Sequence, residues 1–138
     1  MQISQRSGIL DAGKRVHLLG IGGAGMSGLA LLLNKLGLRV SGCDMARTCY
    51  IEKVEREGIT VITGHDPKHV EDPPQDLVIF SSAIDPENPE ILAAKKAGIP
   101  VFKRADILSL LFNERFGVGV AGTHGKTTTS SMISLILE

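Results

Sequence analysis

Two glycine-rich runs near opposite ends of the chain carry residues that can hold phosphate. The first, Gly20-Ile21-Gly22-Gly23-Ala24-Gly25, fits the pattern G-x-G-x-x-G. The second is Gly122-Thr123-His124-Gly125-Lys126-Thr127-Thr128. Glycines at these spacings allow a tight turn and a close approach of backbone N–H groups to an anion, and a helix starting directly after the turn adds the positive end of its dipole. In the second run, Lys126 is placed to reach the β- and γ-phosphates of a nucleoside triphosphate, and Thr127 to ligate Mg2+. A strict Walker A pattern needs glycine five residues before Gly125, where this chain has Val120. The shorter core, with Gly122, Gly125, Lys126 and Thr127, is nonetheless flanked as a phosphate loop must be. An apolar run over 116–121 leads in as a strand, and 129–138 leads out as a helix.

Other polar residues gather around the first run. Asp44 lies 19 residues beyond Gly25, where an acid can take a ribose hydroxyl. Ser81 and Ser82 end an apolar run over 77–80 and are expected to face the glycine loop across a crevice, bonding phosphate or sugar. His65 follows another short apolar run and is placed to contact a base or ribose, or else to lie at the surface. His17 and His69 read as structural or surface residues. Cys43 reads as a small apolar residue ending a strand. Cys43 and Cys49 are the only thiols, and no Cys or His spacing that matches a metal site accompanies them.

The elements that must position these groups follow from periodicity. Apolar runs over 15–19, 38–43, 59–62, 77–80 and 99–102 read as buried parallel strands. Between them lie helical patterns over 26–36, 47–57, 89–97 and 105–112, three of them followed by Gly37, Gly58 and Gly98, the residue type that ends helices. Asp66-Pro67 starts a single turn. Strict alternation of strand and helix predicts an α/β fold: a Rossmann-like open parallel sheet with crossover helices, followed by the first strand, phosphate loop and helix of an ATPase unit. The expected divisions are an N-terminal arm over 1–13, a nucleotide-binding unit over 14–115 and the start of a second, ATP-binding unit over 116–138. A nucleotidase needs a whole sheet behind its phosphate loop, so the chain is expected to be part of a longer protein.

Composition removes several classes. Of 138 residues, 15 are Lys or Arg and 15 are Asp or Glu, so the formal net charge is zero and no basic field attracts nucleic acid. The apolar run over 29–33 is too short to span a membrane. The apolar run after Lys14-Arg15 contains a glycine loop, unlike a secretory signal, and two thiols read as reduced, so a cytoplasmic location is expected.

The runs Gly20–Gly28, Ser41-Gly42-Cys43-Asp44, Ser81–Ile84, Asn88-Pro89-Glu90 and Gly122–Thr128 together resemble the Mur ligases of peptidoglycan synthesis, and Ala24-Gly25-Met26-Ser27 resembles the alanine-adding branch. Cys43 stands where that family commonly has serine. The resemblance implies three domains, of which this chain holds the first, binding a UDP-sugar, and the opening of the second, binding ATP. It implies that ATP phosphorylates the lactyl carboxylate of UDP-N-acetylmuramate and that L-alanine then attacks the acyl phosphate. It assigns the diphosphate of UDP to Gly20, Gly22, Gly23, Ala24 and Gly25, uridine to Asp44, Ser81 and Ser82, and ATP with Mg2+ to Gly122–Thr128, with Lys126 and Thr127 catalytic.

Without the resemblance, the first loop with Asp44 reads as a site for NAD in a regulatory or dehydrogenase domain, which leaves the second loop unexplained. A non-enzymatic nucleotide-binding module is the other alternative. The 138 residues alone are expected to be inactive. Residues 116–138, deprived of a parent sheet, are expected to pack on a second copy and give a homodimer, with a hinge at 113–117.

Overall fold

The computed structural model describes residues 8–114. The second phosphate loop, the strand and helix expected around it, and the homodimer contact with most of its hinge lie outside the described residues. So do the first seven residues of the N-terminal arm.

Five strands form one parallel sheet: β1 (Arg15–Leu19), β2 (Arg39–Asp44), β3 (Thr60–Thr63), β4 (Leu77–Phe80) and β5 (Val101–Lys103). Their order across the sheet is β3-β2-β1-β4-β5. The helices are α1 (Ala24–Lys35), α2 (Cys49–Arg56), α3 (Lys68–Glu71), α4 (Pro89–Lys96) and α5 (Arg104–Glu114). Strand order reverses between β1 and β4, which pair in register from Val16 with Leu77 to Leu19 with Phe80. A crevice opens beyond the C-terminal ends of two strands whose connections leave in opposite directions, so this is where an open α/β sheet binds ligands.

The sheet is buried on both faces because its central strands are apolar at successive positions rather than alternate ones. Val16 and Leu18 point to one face, where Met26, Leu29, Ala30 and Leu33 of α1 and Ile107, Leu110 and Leu111 of α5 pack on them. Leu19, Val78 and Phe80 point to the other, against Val70 of α3 and Ile91, Ala93 and Ala94 of α4. Each fully buried aliphatic side chain contributes roughly 1.5–3 kcal/mol. The outer strand β3 is largely exposed and only four residues long, short enough to limit edge pairing.

Boundaries moved where a local bond outweighed periodicity. Helix α2 starts at Cys49 rather than Arg47, because the Thr48 hydroxyl accepts the Ile51 N–H and fixes Thr48 as the cap. Helix α1 starts at Ala24, two residues before its first buried side chain, so its first turn belongs to the glycine loop. The expected single turn after Asp66-Pro67 is α3. Gly37 ends α1 at φ +92°, a conformation that costs glycine nothing.

One close approach fixes β2 beneath the first loop. A Cβ built on Gly42 would lie 2.5 Å from Ile21 Cδ1 and 2.8 Å from the Leu18 carbonyl oxygen. The carbonyl belongs to the central strand and cannot yield. Gly42→Ala should therefore lower stability by about 1–3 kcal/mol. Gly28 of α1, with open space around its Cβ position, gives the contrast: Gly28→Ala should raise stability by up to about 1 kcal/mol through helix propensity. Urea unfolding of both variants measures the difference in sign.

Candidate functional site

At the crevice, the ends of β1 and β2 are tied together through the backbone. Gly20 N and Ile21 N both donate to the Cys43 carbonyl, at 2.9 and 3.2 Å. Asp44 Oδ2 accepts the Gly22 N–H at 2.8 Å, and Oδ1 accepts the Ala46 N–H at 3.1 Å. Thr48 donates its hydroxyl to the Gly22 carbonyl at 2.8 Å, joining α2 to the same loop. Gly20 takes φ +81° to make the turn, and a Cβ there would meet Ser81 Oγ at 2.9 Å.

Beyond Gly22 the loop opens. Gly23, Ala24 and Gly25 are exposed, and no side chain caps the first turn of α1. Uncapped N–H groups at a helix start are an anion cradle when a second feature supplies positive charge. Arg104, at the start of α5, supplies it. Its guanidinium lies so close over Gly25 that a Cβ there would fall 2.5 Å from Nη1.

The expected residues divide as follows. Gly20, Gly22, Gly23, Ala24 and Gly25 form the loop, and Ser81 stands against Gly20. Ser82 is exposed on the connection after β4. The Asp44 carboxylate holds the loop's own Gly22 amide rather than standing free at the strand end. His65 engages Glu90 Oε2 at 3.2 Å and Cys43 Sγ at 3.3 Å through its Nδ1, on the side of α4. Lys126, Thr127 and the rest of the second loop lie outside the described residues. Arg104 was missed. Its signal was the second of two cations, Lys103-Arg104, after the fifth apolar run, which only the strand order places beside Gly25.

A second polar cluster lies behind the loop, on the α3 and α4 face. His17 and Glu90 are fully buried, and so is Cys43. Cys43 is no plain apolar strand end: its thiol donates to Glu90 Oε2 at 2.9 Å. His69 Nδ1 hydrogen-bonds Glu90 Oε1, so neither His69 nor His17 is a surface residue. Burial alone would push the Glu90 carboxyl up, but the His17, Cys43 and His65 groups facing it outweigh that and hold it at about 2. Burial, and then the neighbouring Glu90 carboxylate, push the Cys43 thiol well above its usual range.

A profile of the "Mur ligase family, catalytic domain" matches residues 15–116. The chain is 50% identical over 123 residues to UDP-N-acetylmuramate--L-alanine ligase of Carboxydothermus hydrogenoformans, covering 89% of this chain and 26% of that protein. It thus spans about a quarter of the length of the curated relatives it matches. Among solved structures it is similar to the UDP-N-acetylmuramate-alanine ligase MurC of Thermotoga maritima, with TM-score 0.76 and 32% identity over 90% of this chain and 29% of that one. It is similar also to a murein peptide ligase of Psychrobacter arcticus, with TM-score 0.78 and 35% identity over 91% and 26%. Among the described residues, no helix is long and apolar enough to cross a membrane.

Arg104 is exposed, so its removal should leave the fold within about 0.5 kcal/mol of its original stability. A charge-assisted bond to a diphosphate is worth roughly 1.5–3 kcal/mol. Arg104→Ala should therefore weaken binding of a diphosphate ligand at this loop by about tenfold or more while leaving any binding of a phosphate-free nucleoside unchanged. Parallel calorimetric titrations with UDP and uridine check both halves.

Proposed function

The chain belongs to the Mur ligase family, and from that membership we propose that it is the N-terminal, UDP-N-acetylmuramate-binding part of an ATP-dependent ligase that adds L-alanine in peptidoglycan synthesis. The observation that carries this reading is the 50% identity to an alanine-adding ligase, in a match that takes in 89% of the chain. The geometry supports it: a diphosphate fits where uncapped N–H groups and a guanidinium converge. The UDP moiety would rest on Gly23, Ala24 and Gly25, with Arg104 over its charge. The Ser81 hydroxyl, and the lone pairs of Asp44 not taken by Gly22 and Ala46, are then available to sugar or base.

In this reading residues 14–115 anchor the substrate by its nucleotide, remote from the reacting carboxyl group. Binding energy realised there positions the lactyl carboxylate for chemistry elsewhere in the protein. The γ-phosphoryl group of ATP passes to that carboxylate and ADP leaves; the alanine amine then attacks the acyl carbon and phosphate leaves. Residues 116–138 begin the ATP-binding part. Lys126 would steady the transferring phosphoryl group, and Thr127 would ligate the Mg2+ that neutralises its charge; the support for these roles is the Gly122–Thr128 pattern. Such an enzyme works in the cytoplasm, where ATP and UDP-sugars are. Because the chain spans about a quarter of its relatives' length, the 138 residues are proposed to bind substrate without turning it over.

A nicotinamide dinucleotide is the competing ligand, since the same loop and acid recur in dinucleotide-binding folds. Calorimetry should show the 138-residue chain binding UDP or UDP-N-acetylmuramate, with NAD at least tenfold weaker. Tight NAD binding with no response to UDP would overturn the proposal. In a full-length ligase carrying this chain, Lys126→Ala should remove most turnover and leave UDP affinity intact.

A further inference from the structure

We propose that His17, Cys43, His69 and Glu90 form a binding site for one thiophilic divalent cation of the zinc type, on the face of the sheet behind the glycine loop. The four come from four elements: β1, β2, α3 and α4. One ligand atom from each lies within 4.8 Å of every other. The inference rests on this geometry and stands independently of what the glycine loop binds.

Three observations point to a cation rather than to a buried hydrogen-bonded cluster alone. First, His17 Nε2 is fully buried and has no hydrogen-bond partner among the described residues. It faces Glu90 Oε1 at 3.6 Å, too far for a hydrogen bond. Its other nitrogen, Nδ1, lies 2.9 Å from Ser41 Oγ, and such a hydrogen bond holds the ring in place, as it does in metal-ligating histidines. An orphaned buried nitrogen is destabilising, and a metal bond would remove that cost. Second, the spacing is close to what a four-coordinate ion needs. Ligand atoms at about 2.0–2.3 Å from zinc stand roughly 3.3–3.8 Å apart in a tetrahedron. The 3.6 Å from His17 Nε2 to Glu90 Oε1 falls inside that range, the 2.9 Å from Cys43 Sγ to Glu90 Oε2 and the His69–Glu90 contact fall below it, and the four ligand atoms all lie within 4.8 Å of one another, so a modest adjustment of the cluster admits the ion. Third, the charges cancel. A dication, one thiolate, one carboxylate and two neutral imidazoles sum to zero, the arrangement least penalised by burial.

The donor set selects the class of ion. Thiolate and imidazole favour Zn(II) and Co(II), whereas Mg2+ and Ca2+ take oxygen ligands. On uptake the Cys43 S–H bond breaks, its proton passes to water and a sulfur–metal bond forms, with no change of oxidation state. Entry is from the side of His69, which is partly exposed and borders an open cavity of about 360 Å3 lined also by Ser41 and Lys68. His65, beside Cys43 and Glu90, stands as a neighbouring donor. The Cys43 carbonyl that receives Gly20 and Ile21 belongs to a proposed ligand residue, so the ion would stiffen the floor of the glycine loop.

Titration of the metal-free 138-residue chain with Co(II) under reducing conditions tests the site. The expected result is saturation at one equivalent, with the intense visible bands of four-coordinate cobalt and a thiolate-to-cobalt charge-transfer band, all bleached by Zn(II). Cys49 is exposed and the only other thiol, so Cys49→Ser should retain the charge-transfer band and Cys43→Ser should lose it, with far-ultraviolet dichroism unchanged. His69→Ala, at a partly exposed position, should keep the band and weaken cobalt binding at least tenfold, which leaves a second readout if Cys43→Ser fails to fold. Weak octahedral absorption only, a charge-transfer band that survives Cys43→Ser, or unchanged affinity in His69→Ala would each overturn the assignment.

Discussion

The bond from the Gly22 amide to the Asp44 carboxylate is the constraint on which the ligand-facing end of the molecule depends. It joins the loop after β1 to the end of β2, 22 residues apart. With the Gly20 and Ile21 amides held by Cys43, the loop's leading half is spent internally. Gly23 N also turns back to the Gly20 carbonyl, at 3.2 Å, so the amides of Ala24 and Gly25, at the start of α1, are the ones left to face an anion. A charge-assisted bond of this kind is about twice as strong as a neutral one. It also explains the crowding: Asp44 Oδ2 lies 2.7 Å from where a Cβ on Gly22 would be, so the bond requires glycine there. The close passage of Gly42 under Ile21 is the same demand seen from below.

The two faces of the sheet are built for different ends. The α1 and α5 face is an apolar core, and its helices bring the loop's N-terminus and Arg104 to one spot. The α3 and α4 face sets a compact polar cluster among apolar neighbours. Glu90 reaches that cluster from the second residue of α4, a helix capped by the Asn88 side chain, which accepts the Glu90 N–H at 2.9 Å. The run Asn88-Pro89-Glu90 thus serves both to start a helix and to deliver a carboxylate beneath β1 and β2.

Much of the fold was legible in the sequence because its signals are local. Short, mostly apolar runs marked the five strands, and Gly37, Gly58 and Gly98 marked helix ends because few other residues take positive φ. The glycine loop, its flanking strand and helix, and the meeting of β1 with β4 followed from the same patterns. What was not legible is what depends on contact between distant elements. His17, Cys43, His69 and Glu90 have no shared spacing, since each comes from a different strand or helix, and a metal search by Cys and His intervals passes over them. Arg104 resembles any surface cation until β5 is set beside β4. Asp44 was found, but its partner was not, because only the folded loop turns the Gly22 amide toward it.

The central claim is that the free half of the first loop holds the diphosphate of a uridine nucleotide. Amide resonances of the isotopically labelled 138-residue chain, followed during titration with UDP, test it most directly. The account predicts that the largest shifts fall at Gly23, Ala24 and Gly25 and on the Arg104 side-chain N–H, with Gly22 protected from exchange before and after. Shifts confined to the opposite ends of the strands, around Arg15 and Arg39, or no shift at the loop when UDP is bound, would contradict it.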